Sequence, residues 1–196
     1  MKKLILSDCD GCICNWNSGF EQYMSELGFP KIPNTDHEYS IQSRYDVSSN
    51  IANKFVTEFN ESENIASLQP FADSLKYIDK LAYMGFRFVI ITSLSDNPLA
   101  KIHRTKNLTK LFGNVFDDII CIKMGSNKLS ELMKWKDSGY FWIEDHIQQS
   151  EAGYKAGLSP ILINHEYNES YTPDYPKVSA EQPWKEVYER ILDRYY

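Results

Sequence analysis

The sequence predicts an α/β fold: a five-stranded, mainly parallel sheet flanked by helices, with a small helical cap inserted after the first strand. Three observations predict it. Short apolar runs of strand length alternate with amphipathic stretches of helix length from about residue 70 onward. Glycines and prolines punctuate that alternation: Pro70 and Pro98 stand where helices open, and Gly28, Gly85, Gly113 and Gly157 where they close. The stretch from about 15 to 69 interrupts the pattern, being too long for a crossover and too helical for a loop.

Taken in order, residues 2–7 read as a buried strand ending at Asp8. Residues 17–27 form an amphipathic helix, with Phe20, Tyr23, Met24 and Leu27 at i, i+3, i+4, i+7. Residues 30–48 are polar, contain Pro30 and Pro33, and read mostly as loop, followed by a helical face of Ile51, Phe55 and Phe59. Pro70 opens a helix carrying Leu75, Ile78, Leu81 and Ala82 inward. Strands are expected at 86–92, 118–122, 140–144 and 160–163, and helices at 98–112, 127–136 (Leu129, Leu132 and Met133 inward) and 146–156. Residues 164–182 are rich in Pro and Tyr and read as irregular, and Trp184, Val187, Tyr188, Ile191 and Leu192 mark a last amphipathic helix. Strands joined by helices of this length imply right-handed crossovers and a parallel sheet.

Charge and composition narrow the function. Lys plus Arg number 21 against 27 Asp plus Glu, a net charge of −6, so the basic footprint of a nucleic-acid polymer binder is missing. The helical run Lys101, Arg104, Lys106 and Lys110 reads as a solvated face. No apolar run reaches the ~20 residues of a membrane span, and the apolar stretch near the N-terminus is too short for a signal-peptide core, so a cytoplasmic protein is expected. Cys9, Cys12 and Cys14 crowd into six residues with only Cys121 elsewhere, which suits reduced thiols acting as small buried hydrophobes better than a disulfide framework or a zinc site.

In a parallel α/β sheet the ligand site lies beyond the carboxyl ends of the strands. Those ends carry Asp8, Asp10 and Gly11 after the first strand, Thr92 and Ser93 after the second, and Glu144 and Asp145 after the fourth. Lys128 lies just past a turn of Gly125, Ser126 and Asn127, with Lys123 as its competitor for the same role. Clustered carboxylates repel unless a cation joins them, and hard oxygen ligands suit Mg²⁺. A lysine, a hydroxyl and free backbone N–H groups beside the cation form a phosphate cradle. This points to phosphoryl transfer through a carboxylate nucleophile. Asp8 attacks phosphorus, Asp10 protonates the leaving oxygen and later activates water, and Thr92, with Ser93 as a neighbouring candidate, Lys128 and the Gly11 turn hold the phosphate. Asp8, Asp10 and Asp145 are the expected metal ligands. Trp16, near the mouth of the site, reads either as core filling or as a base-stacking ring, and Tyr45 as a further substrate contact.

These motifs resemble, in order, the four signatures of the haloacid dehalogenase-like (HAD) phosphatases. They are the stretch LILSDCDG, then FVIITS, then Lys128 placed 17 residues before Asp145, then FWIED with EAGYKAGLSPILIN behind it. The resemblance implies a Rossmann-like core of residues 1–14 and 70–196, a cap of residues 15–69, Mg²⁺ dependence and a small phosphorylated substrate. Within that superfamily the chain looks most like the 5′(3′)-deoxyribonucleotidases, through Trp16, the short cap, the phrase Ile65-Ala66-Ser67-Leu68-Gln69-Pro70 and the closing Trp184-Lys185-Glu186-Val187 segment. That likeness implies a nucleoside monophosphate substrate. It departs from the family's habit at Asn15, Glu144, Cys12 and Cys14. A sugar phosphate or other small metabolite, a phosphomutase reaction and a non-catalytic nucleotide-binding scaffold are the rival readings.

Overall fold

The computed structural model describes residues 3–196, so the expected strand start at Lys2 lies outside the described residues. Strands β1 (Leu4–Ser7), β2 (Arg87–Thr92), β3 (Phe116–Cys121), β4 (Phe141–Glu144), β5 (Ser159–Ile163) and β6 (Lys177–Val178) form one sheet in the order β3-β2-β1-β4-β5-β6. Every pairing is parallel. The sheet has six strands where the sequence implies five. The addition is the two-residue β6, which lies in the Pro- and Tyr-rich stretch and is too short to show a period of two.

The sheet separates two apolar layers, and the alternation of side chains along each strand sorts residues between them. Ile5, Phe88, Ile90 and Ile143 join one layer, with Trp184, Phe20 and Phe59. Leu4, Leu6, Val89, Ile91 and Trp142 join the other. Each fully buried Leu, Ile or Val contributes about 1.5–3 kcal/mol. Both faces are covered, as a parallel sheet requires, by helices α1 (Trp16–Glu26), α2 (Ile41–Tyr45), α3 (Ser49–Glu61), α4 (Ala72–Tyr83), α5 (Pro98–Phe112), α6 (Leu129–Leu132), α7 (Ile147–Lys155) and α8 (Pro183–Tyr195).

Local chemistry sets several of these boundaries. Asn15 caps α1 by accepting from the Ser18 amide at 3.0 Å. Asn97 caps α5 in the same way through Leu99, and Pro98 occupies its first turn. The first turn of α8 rests on Asp73, whose carboxylate accepts from the Trp184 and Lys185 amides at 2.8 and 3.1 Å. Trp184 then donates from Nε1 to the Cys12 carbonyl at 2.8 Å, fastening the last helix to the turn after β1.

Three expectations need correction. The polar stretch 30–48 contains the short helix α2. On α4 the buried face runs through Ser74, Tyr77, Ile78 and Leu81, while Leu75 is exposed, because Ser74 turns inward to donate to the Phe71 and Ile13 carbonyls. The helix at 127–136 shortens to α6 and tightens into a 3₁₀ turn over Met133–Trp135, which leaves Met133 at the surface.

Candidate active site

The carboxyl ends of β1, β2 and β4 open into one cavity of about 630 Å³. Asp8, Asp10, Gly11, Thr92, Ser93, Lys128, Glu144 and Asp145 all line it, and Trp16 does so from α1. The cavity gathers these sequence-selected residues, and two do not reach it. Tyr45 is buried edge-on against Phe20, 5.7 Å between ring centroids. Lys123 is exposed, whereas Lys128 is 2% exposed and sits among the carboxylates.

Lys128 Nζ lies 2.8 Å from Asp8 Oδ2 and 3.0 Å from Glu144 Oε2. Burial works against its charge, but the two carboxylates outweigh burial and hold its pKa above the ordinary lysine value. Burial pushes Asp8 upward, Lys128 opposes it, and the nearby Asp145 adds to the rise. Glu144 is pushed well up by burial, again against Lys128. Asp8 Oδ1 accepts from the Cys9 amide at 2.7 Å, so one oxygen is fixed by backbone and the other by the ammonium. At the end of β2, Thr92 is buried, and Ser93 donates its hydroxyl to the Ser126 carbonyl at 3.1 Å. Gln149 carries the Lys128 loop, accepting from the Lys128 amide at 2.8 Å.

Ligating atoms of Asp8, Cys12 and Asp145 lie within 4.8 Å of one another. Two buried carboxylates at that spacing, with Glu144 behind them and one ammonium among them, form a hard, electron-rich donor set that fits Mg²⁺. Cys12 Sγ approaches Asp145 Oδ1 at 3.7 Å, and burial raises its thiol pKa well above the usual range, so it stands there as a neutral donor. Cys9 and Cys14 are buried in the core, and all four cysteines are free.

Gly11 makes the close approach possible. Its φ is +78°, and a Cβ there would stand 2.1 Å from Asp145 Oδ2. Gly11→Ala is therefore expected to destabilise by about 1–2 kcal/mol from backbone strain alone and to push Asp145 off its position. A thermal melt coincident with the parent's would show that Asp145 yields freely.

Several neighbours escaped the sequence reading. Arg104, expected on a solvated face, is fully buried, and its Nη2 donates to both oxygens of Asp10 at 2.5 and 2.7 Å. The signal was present: Ala100 and Leu108 stand four residues to either side of it on the same helical face. Burial raises Asp10 to about 6, with Arg104 opposing. Tyr167 donates to Asp145 Oδ2 and stacks on His165, whose Nε2 lies 2.8 Å from the Gly11 carbonyl. It belongs to the irregular stretch, where no periodicity could point to it. Tyr39 reaches over from the segment before α2 to pack against His146 and Tyr167 at 4.9 and 5.3 Å. Trp16 stacks on Phe20 at 4.5 Å and donates from Nε1 to Asn60 at 2.8 Å.

Among solved structures, the chain superposes on a predicted phosphatase from Clostridium acetobutylicum with a TM-score of 0.69 at 15% identity, covering 98% of this chain and 99% of that one. A haloacid dehalogenase-like hydrolase from Streptococcus pneumoniae gives 0.64 at 16% identity, covering 99% and 98%. The chain has the HAD-like fold. The D,D-heptose 1.7-bisphosphate phosphatase from B. bronchiseptica, solved with magnesium and phosphate, shares this HAD-like fold at a TM-score of 0.60 and 16% identity, covering 98% and 99%. An uncharacterized 32.4 kDa protein of the Gp30-rIII intergenic region of Enterobacteria phage T4 is 30% identical over 139 residues, 68% of this chain. The match takes in 49% of the phage protein, so the HAD-like chain spans about half the length of its curated relative. No family model matches. Among the described residues no helix is long and apolar enough to cross a membrane.

Proposed function

We propose that the protein is a Mg²⁺-dependent phosphomonoesterase of the HAD type, working through an aspartyl-phosphate. The observation that carries this reading is Asp8 held between the Cys9 amide and Lys128, with Asp10 and Asp145 on the same cavity wall. A carboxylate so fixed has its oxygen ready for in-line attack, and the ammonium neutralises charge on the transferring oxygens. Asp8 forms a bond to phosphorus as the ester P–O bond breaks, and Asp10 gives a proton to the departing oxygen. Asp10 then takes a proton from water, which attacks the acyl-phosphate, frees phosphate and restores Asp8. Asp8, Asp145 and the Asp10 backbone carbonyl would hold Mg²⁺, which supplies further positive charge to the phosphoryl oxygens when bound. Thr92 is the better hydroxyl donor to phosphate, because Ser93 has committed its proton to Ser126.

The substrate we infer is a nucleoside monophosphate, with residues 15–69 acting as the cap and the cytoplasm as the place of work. Trp16 presents a ring to the cavity, and Gln42, Asn53 and Gln148 offer amides for a base edge or for hydroxyls. The same amides favour a sugar phosphate as the second reading, a class to which the heptose bisphosphate phosphatase of similar fold points. A phosphate-release screen with Mg²⁺ across nucleotides and sugar phosphates tests both. Turnover confined to sugar phosphates would remove the nucleotide, and turnover of no phosphomonoester would leave a binding scaffold.

Asp10→Asn isolates the proton transfer. It keeps the backbone carbonyl and is expected to slow first-turnover release of the alcohol from alkyl phosphates by about 10²–10⁴-fold and release of 4-nitrophenol from its phosphate far less, since that leaving group needs little protonation, whereas hydrolysis of the shared aspartyl-phosphate slows alike for both. Equal first-turnover losses on both would make Asp10 a structural or purely metal-site residue.

A further inference from the structure

The buried face of α5 consists of Ala100, Arg104, Asn107 and Leu108, so a guanidinium stands where packing asks for hydrocarbon. Arg104 is 0% exposed, and its Nε and Nη1 are buried without a hydrogen-bond partner. Its whole return is the pair of bonds from Nη2 to Asp10. Withdrawing a guanidinium from water is costly, and an apolar residue of similar length fills such a space without that cost. Stability therefore does not account for Arg104. Cys9, Cys14 and Cys121 also surround it.

We propose that Arg104 is the positioning residue of Asp10. The inference rests on reading Asp10 as the proton donor and acceptor of the reaction. The backbone at Asp10 is already fixed, since the Ile13 and Cys14 amides donate to the Cys9 carbonyl at 2.7 and 2.9 Å and the Gly11 amide to the Cys14 carbonyl at 3.1 Å. Two side-chain torsions remain to be set. Arg104 sets those torsions from behind. It keeps the carboxyl at the cavity wall, beside Asp8, with its unshared lone pairs available to the departing oxygen and then to water. A flexible or exposed cation would do this poorly; the planar guanidinium fork, buried and immobilised by α5, presents its Nη2 to both oxygens and loses little freedom in doing so.

The test is a comparison of KM and of the first-turnover rate of leaving-group release, the half-reaction in which Asp10 is the acid, on an alkyl phosphate and on 4-nitrophenyl phosphate. Arg104→Met keeps length and hydrocarbon packing while removing both bonds to Asp10, and Arg104→Lys keeps the charge without the fork. For Arg104→Met, the first-turnover rate on the alkyl ester is expected to fall by about 10²-fold, the size of a general-acid contribution, with KM and the first-turnover 4-nitrophenyl rate little changed. In an Asp10→Asn background the same substitution is expected to add nothing, and Arg104→Lys to recover part of the loss. Equal losses on the two esters, or a full further loss in the Asp10→Asn background, overturn the proposal. If the Met variant does not fold, Arg104→Lys decides: an alkyl-to-nitrophenyl ratio unchanged from wild type overturns it, and a lowered ratio supports it. Failure of the underlying reading shows in other arms, as wild-type protein inert on both esters or Asp10→Asn losing equally on both, and either result also ends the inference.

Discussion

Asp8→Asn is expected to lower phosphate release by about 10³-fold or more and to leave the fold intact. The substitution preserves size and the acceptor for the Cys9 amide, so the turn after β1 keeps its 2.7 Å anchor. It removes the charge proposed to attack phosphorus, one proposed ligand of the cation and the partner of Lys128 at 2.8 Å. Lys128 retains Glu144 at 3.0 Å, so its ammonium is not orphaned. Burial raises the Asp8 pKa against Lys128, and a neutral amide relieves the cost of burying that charge. The thermal midpoint should therefore shift by no more than about 4 °C, the equivalent of ~1 kcal/mol in a chain of this size. Phosphate release near the wild-type rate from a folded variant would exclude Asp8 as nucleophile.

Chelation with EDTA is expected to abolish turnover, and added Mg²⁺ to restore it. Asp8, Glu144 and Asp145 crowd three carboxyl groups around the single ammonium of Lys128, all of them buried. With the cation gone, that excess raises the proton affinity of the group and opposes the close approach of a phosphate dianion. The folded chain alone presents the assembled site, so Mg²⁺ should also raise the thermal midpoint, by the equivalent of about 2.7 kcal/mol at a hundredfold excess over its Kd. Activity that survives thorough chelation, or returns only with Zn²⁺, would shift the chemistry toward Cys12, whose sulfur stands 3.7 Å from Asp145.

Much of this was legible because the strand ends are defined by local signals. Asp8 and Thr92 each follow a run of apolar residues that a parallel sheet buries on both faces, and the register of β1 against β2 and β4 then brings those ends to one rim. Lys128 was legible by its spacing from Asp145 and against its local context, since it sits at the start of only four helical residues. What escaped detection depends on long-range packing. Arg104 looks like its neighbours Lys101 and Lys106 in composition and differs only in the face it occupies. Leu75 and Met133 follow helical spacing, yet the inward turn of Ser74 and the 3₁₀ tightening at Met133 place both outside. β6 is set by its pairing with β5, and Tyr167 by Asp145 just past β4, which no local pattern encodes.

The position of β1 also dictates the order in which the site can come into being. This strand, with Asp8 at its end, pairs with β2 and β4 and with nothing nearer in sequence. Its second neighbour spans Phe141–Glu144, and the ammonium that grips Asp8 is at position 128. A chain emerging from the ribosome thus carries Asp8 for 133 residues (141 − 8) before β4, the far side of the sheet, begins. Such non-local closure is slow and late in folding, since the entropy of a long loop is lost before the contacts that reward it are made. A nascent fragment ending before β4 would expose the apolar Leu4–Ser7 strand along one unpaired edge, a surface open to chaperones or to aggregation.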